Sequence, residues 1–162
     1  MITDILTYVN TYDDVRAVLG VEAEELRDET LALSVYKNTL GLALTNFTGE
    51  YSVDTGDRTL IEIYDALEPT DPMYIEIQLY STYIVPDAVA GNLPMIGVKT
   101  KADGKSTVTR HSAESTYLTT MAGIKDHLKK HIGNIRELFT ATPTDSKILV
   151  AVGPAVDVIT GE

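Results

Sequence analysis

The stretch that decides the fold runs from Tyr117 to Phe139 and reads YLTTMAGIKDHLKKHIGNIRELF. Tyr117, Met121, Ile124, Leu128, Ile132, Ile135 and Phe139 follow one another at steps of three or four. Those steps return apolar side chains to one face of a helix, whereas a half-buried strand needs strict alternation. Lys125, Lys129, Lys130 and Arg136 fall in the second half of the stretch. There the carbonyl end of a helix favours positive charge. A long amphipathic helix is therefore the anchor from which the remaining chain is read.

Working back from it, residues Asn92 to His111 are rich in turn formers and poor in helical period, which predicts a loop. Asp103-Gly104 inside it is a hairpin signal, with Thr107, Val108 and Thr109 able to extend. Before the loop, Asp71 precedes Pro72 as a cap with proline at the first helical position, and Ile75, Leu79, Tyr83 and Ile84 continue an apolar face. Pro86 is expected to kink this helix, with its end near Gly91. Leu60, Ile61, Tyr64 and Leu67 mark another helix, which must stop before Pro69. Ser34 is the expected cap of a helix whose stripe is Tyr36, Leu40, Leu44 and Phe47, ended by Thr48-Gly49-Glu50. The first helix spans about 12–19, with Thr11 as cap, Asp13 and Asp14 in its first turn and Gly20 as its stop.

Beyond Thr140 the character changes. Residues 141–146 form a polar linker, after which two strand-forming segments flank Gly153-Pro154. Their apolar side chains are Ile148, Leu149, Val150, Val152, Val156, Val158 and Ile159. A lone hairpin is marginal in water and its open edges invite pairing, so this tail needs a surface to lie on. That surface is either the chain's own helices or a neighbour. The expected organisation is mainly α: a bundle of about four to five helices in residues 1–140, with a central basic loop or hairpin, and a linker plus extended C-terminal arm in 141–162.

With 162 residues and 44% hydrophobic content, the chain can bury one core. The absence of cysteine excludes disulfide staples, thiol nucleophiles and thiolate metal sites. No apolar run is long enough to cross a membrane, and Met-Ile-Thr-Asp lacks the basic-then-apolar pattern of a signal peptide, so synthesis in the cytoplasm without membrane insertion is expected. The net charge of −11 is unevenly spread. Residues 1–81 hold sixteen Asp/Glu against four Lys/Arg, and residues 82–162 hold eight against nine. Contact with nucleic acid, an electrostatic matter, is open to the second half alone.

Signals of catalysis are weak. His127 and His131 stand four apart, a spacing that can present two imidazoles to one metal, but Leu128, Lys129 and Lys130 lie between them where a zinc protease has its glutamate. A solvated helix face is the preferred reading. Asp54, Asp57, Glu62 and Asp65 do not reproduce a calcium-loop series and read as acidic surface. No phosphate loop, nucleophile elbow or dinucleotide fingerprint is present. The chain is expected to be no enzyme and to need no cofactor, a small metal-dependent hydrolase using Asp54 and Asp57 being the least favoured alternative. Lys99, Lys101, Lys105 and Arg110 give a basic segment suited to a subunit contact or, less readily, to phosphate.

Three runs carry a resemblance to a known family: Tyr12-Asp-Asp-Val-Arg-Ala-Val-Leu-Gly-Val21; Leu31-Ala-Leu-Ser-Val-Tyr36; and Leu93-Pro-Met-Ile-Gly-Val-Lys-Thr-Lys-Ala-Asp-Gly-Lys105 before the long helix. Over about residues 12–139 the chain resembles the head-to-tail connector (adaptor, head completion) proteins of tailed bacteriophages. The resemblance implies a structural virion protein of the neck. It would form a homo-oligomeric, typically dodecameric ring under the portal protein, meet a tail or nozzle protein below, and enclose the channel through which double-stranded DNA passes without sequence recognition. Arms in such connectors reach into the portal or a neighbouring subunit, which would occupy residues 148–159. The loop around Lys99, Lys101 and Lys105 would face portal, tail or lumen. An adaptor module that binds a partner by adding its C-terminal strand is the alternative built on the same tail.

Overall fold

A computed structural model describes residues 2–92 and 110–141. After a short 3-10 turn at Ile5–Thr7 come α1 (Tyr12–Leu19), α2 (Asp28–Leu31), α3 (Ser34–Glu50), α4 (Leu60–Tyr64), α5 (Pro72–Asn92) and α6 (Arg110–Ala141). The chain is a mainly helical bundle, and no strand occurs among the described residues.

The ends of α1 form as its sequence dictates. Thr11 accepts from the Asp14 amide at 3.0 Å while Asp14 accepts from the Thr11 amide at 3.1 Å, a reciprocal capping box that satisfies two orphan donors. Gly20, at φ +69°, takes the left-handed position that closes the other end. Asp71 caps α5 by accepting from the Met73 amide at 2.7 Å. At α3, by contrast, Leu33 holds the capping position without a side-chain bond, and Ser34 is the first helical residue. The stripe Tyr36, Leu40, Leu44 and Phe47 is buried as its spacing requires.

α5 is the hub, packing against α6, α3, α1 and α4. Its 21 residues contain two charges, Glu76 and Asp87, and are apolar nearly all round. For that reason periodicity misjudges its inner face: Met73, Ile77 and Tyr80 are buried, whereas Ile75 and Leu79 are 44% and 39% exposed. Ile84 is buried as expected. The helix runs through Pro86 and ends at Asn92, next to the expected end near Gly91. Proline in a helix interior costs about 3 kcal/mol. Pro86 is itself buried, so packing on several sides offsets the lost amide donor. One turn earlier, Ser81 and Thr82 donate their hydroxyls to the Ile77 and Gln78 carbonyls at 2.8 and 2.9 Å, which satisfies both groups inside the bundle.

α6 spans 32 residues, about 48 Å at 1.5 Å per residue, and lies antiparallel on α5. Tyr117 donates to the Ala90 carbonyl at 3.1 Å near one end of the pair, and Asn134 reaches Glu76 near the other. Ile124 and Ile135 are buried, with Leu128, Ile132 and Phe139 packed at the edge of the core. Of the expected loop from Asn92 to His111, Asn92 belongs to α5 and Arg110 and His111 open α6, while residues 93–109, with the hairpin signal at Asp103-Gly104, lie outside the described residues.

α4 and its turn seat the aromatic side of the core. Tyr64 stacks on Tyr74 at 4.1 Å, and Phe47 meets the Tyr80 ring edge-on at 5.3 Å. Burial pushes the Tyr64 and Tyr80 phenols above their ordinary range. At the start of α4, Glu62 accepts from the Thr59 amide at 2.7 Å, and this bond holds its carboxyl below the usual value.

Phe47→Ala, at a side chain with no exposed surface, should cost about 3–5 kcal/mol in urea unfolding, whereas Leu42→Ala, 63% exposed, should stay within about 0.5 kcal/mol. Because the folded state lowers the Glu62 pKa, its contribution is present above the unfolded value and is lost as pH falls through the folded one. Glu62→Ala should therefore show a smaller loss of thermal stability than the parent between about pH 5 and about pH 3, read by melting curves.

Candidate interaction surfaces

Lys99, Lys101 and Lys105, and the arm residues Ile148, Leu149, Val150, Val152, Val156, Val158 and Ile159, lie outside the described residues. Their points of departure are described. Asn92 and Arg110 stand at one end of the α5–α6 pair, while Ala141 ends α6 beside the start of α5. The antiparallel pairing thus sets Asn92 and Arg110 at one end, and Ala141 at the other, of a rod about 30 Å long, the length of α5.

The two histidines do not share one solvated face. His127 is exposed, but His131 is 6% exposed and points into the α5–α6 seam. Its Nδ1 lies 2.7 Å from Glu76 Oε2, and Asn134 donates to Glu76 Oε1 at 3.1 Å. An ionised carboxylate only accepts, so Nδ1 carries the proton. Tyr83 lies over both imidazoles, with ring centroids 4.7 Å from His127 and 5.4 Å from His131. A carboxylate-oriented imidazole is the arrangement used in acid–base chemistry. Here the ring is covered, and the cluster fastens α6 to α5 by meeting the needs of a carboxylate placed on an apolar helix. His131 also falls in the series Leu128, His131, Ile135 and Leu138, which steps by three and four, so its burial had a signal in the sequence. Glu76 as its partner, 55 positions away, had none.

Two shallow grooves flank this seam. One, of about 490 Å³ and mostly apolar, lies between the start of α5 and the end of α6 and is lined by Pro72, Ile75, Glu76, Asn134, Glu137 and Leu138. The other, of about 470 Å³, lies where Ala17 and Val18 of α1 face Tyr83, Thr120, Ile124 and His127. Among the described residues no group of three or more His, Asp or Glu is placed to hold a metal ion, and no helix is long and apolar enough to cross a membrane. Asp54, Asp57, Glu62 and Asp65 are exposed, as expected of acidic surface.

Charge is arranged as two separate surfaces. After α1, Glu22, Glu24 and Glu25 of the connection and Glu29 of α2 are exposed on a segment held down by buried Leu26 and Leu31. Arg16 secures it from beneath: its Nε donates to the Leu26 carbonyl at 2.7 Å, and its guanidinium pairs with Asp28 and, at 2.6 Å, with Asp13. The hydrogen bond to Asp28 raises the Arg16 pKa against the opposing effect of burial. On α6, Lys125, Lys129, Lys130 and Arg136 are exposed.

Comparisons of the chain with protein-family models, with curated proteins and with solved structures find no match.

Glu76→Ala leaves the buried His131 ring without its acceptor, and removing one partner of a buried pair costs about 3–5 kcal/mol. Glu76 is 21% exposed at its side chain, so the expected loss is nearer about 2 kcal/mol. His131→Ala should lose at least as much in chemical denaturation. A loss below about 0.5 kcal/mol for both would show that the cluster does not fasten the seam.

Proposed function

We propose that this chain is a structural head-to-tail connector subunit of a tailed bacteriophage, one member of a ring seated beneath the portal and around the channel for double-stranded DNA. The observation that carries this reading is that Asn92 and Arg110 stand at one end of the α5–α6 rod and Ala141 at the other. A subunit that joins one neighbour above to another below needs a contact at each pole. In the sequence, Lys99, Lys101 and Lys105 lie between Asn92 and Arg110, and the apolar set from Ile148 to Ile159 follows Ala141.

The resemblance over residues 12–139 supports the same conclusion, and so does the mainly helical core. The apolar tail is the element that engages the portal or the next subunit, where a partner's surface covers what its own composition leaves uncovered. The basic segment supplies a contact that reads charge and not sequence, suited to DNA backbone or to an acidic protein neighbour. No cofactor is needed, and the place of action is the virion neck.

Imaging the purified chain with and without portal tests the reading. The intact chain should form closed rings that attach to portal, whereas a chain lacking residues 142–162 should keep its helical circular dichroism and its cooperative melting but fail to attach. A chain that stays monomeric with portal present, or a truncated chain that attaches normally, would overturn it.

A further inference from the structure

The face of α6 turned away from the core carries Leu118, Ala122, Lys125, Lys129 and Arg136, spaced four, three, four and seven and all exposed. At 1.5 Å per residue the row is roughly 27 Å long, with Leu118 at one end, 59% exposed, and the three cations over the remainder. Lys129 has one weak partner, Asp126 at 3.8 Å on its own helix, and among the described residues neither Lys125 nor Arg136 forms an ion pair. The row is an unpartnered face that is both basic and partly apolar.

Its complement in charge is on the same chain. The segment from Glu22 to Glu29 holds five carboxylates against one arginine, Arg27. These like charges repel one another, yet the segment is held in a set shape by buried Leu26 and Leu31 and by the Arg16 bonds from below. Among the described residues the Glu24 and Glu29 side chains make no hydrogen bond or ion pair. No salt bridge among the described residues joins this segment to α6. Two unlike-charged surfaces on one chain, each fixed in shape and neither neutralised by the other, are complementary between copies.

We infer that the outward row of α6 is a docking face for a second copy of this chain, which seats its Glu22–Glu29 segment on Lys125, Lys129 and Arg136. Different patches meet in this contact, so it is heterologous and propagates from copy to copy until a ring closes. Charge sets the register, and Leu118 with Ala122 adds apolar area at one end. The inference rests on the connector reading and names the surface by which its subunits join.

The test uses the full chain and measures oligomeric state by sedimentation and native mass over a concentration series. Lys125→Glu/Lys129→Glu/Arg136→Glu should raise the concentration needed for assembly by about tenfold or more, since like charges then face each other. Glu24→Lys/Glu25→Lys/Glu29→Lys should do the same, and both sets combined in one chain should restore assembly. The milder Lys125→Ala/Lys129→Ala should give a smaller shift, and circular dichroism identifies any variant that fails to fold. Raising salt from about 50 mM to about 500 mM should weaken the parent and leave the milder variant less affected. Rings that persist in both reversed variants, or a combined chain that regains nothing, would overturn this surface while leaving the connector reading intact. A parent chain that forms no oligomer, even with portal, would overturn both.

Discussion

The antiparallel packing of α5 on α6 is the contact on which the rest of the bundle depends. With two charges in 21 residues, α5 cannot present a wet face of any width and has to be surrounded. α1, α3 and α4 cover part of it, and α6 covers it along its length. The one carboxylate that this burial would strand in the seam, Glu76, is met by His131 and Asn134 from α6. The polar cluster and the apolar seam thus select the same register: a slip of α6 by one residue would turn His131 away from Glu76 and Ile135 away from the core.

From that packing follows the distribution of everything outside the core. An antiparallel pair places Asn92 and Arg110 at one pole and Ala141 at the other. It also leaves one side of α6 in solvent, where Lys125, Lys129 and Arg136 are exposed. The buried Arg16 acts in the other half as Glu76 does in the seam. It is a single charge placed inward, and its bonds hold a loop of like charges in a defined place. Apolar residues are left exposed on α3, α5 and α6, while of the two imidazoles on α6 His131 is covered and His127 is not.

Much of this was legible in order of residues alone, and the reasons are local. A helix cap is a bond between residues three apart, so Thr11 with Asp14 and Asp71 before Pro72 mark real helix starts. The stripes of α3 and α6 could be read because each helix has one dry side and one wet side, which imposes a period on the sequence. The charge split between the halves, the mainly helical class and the basic outer row of α6 come from the same kind of information.

What only the tertiary structure decided involves residues far apart or helices without a wet side. α5 has no period to read, so Met73 and Ile77 turn inward while Ile75 and Leu79 turn outward according to which neighbours happen to cover them. Pro86 continues a helix because packing on several sides outweighs a local preference to break it. His131 leaves the solvent because Glu76, 55 positions earlier, is brought opposite it by the α5–α6 pairing. Spacing along a chain encodes what a helix does to its own turns; which helix lies opposite is set by the shape and burial of the whole bundle, and that is where the seam was determined.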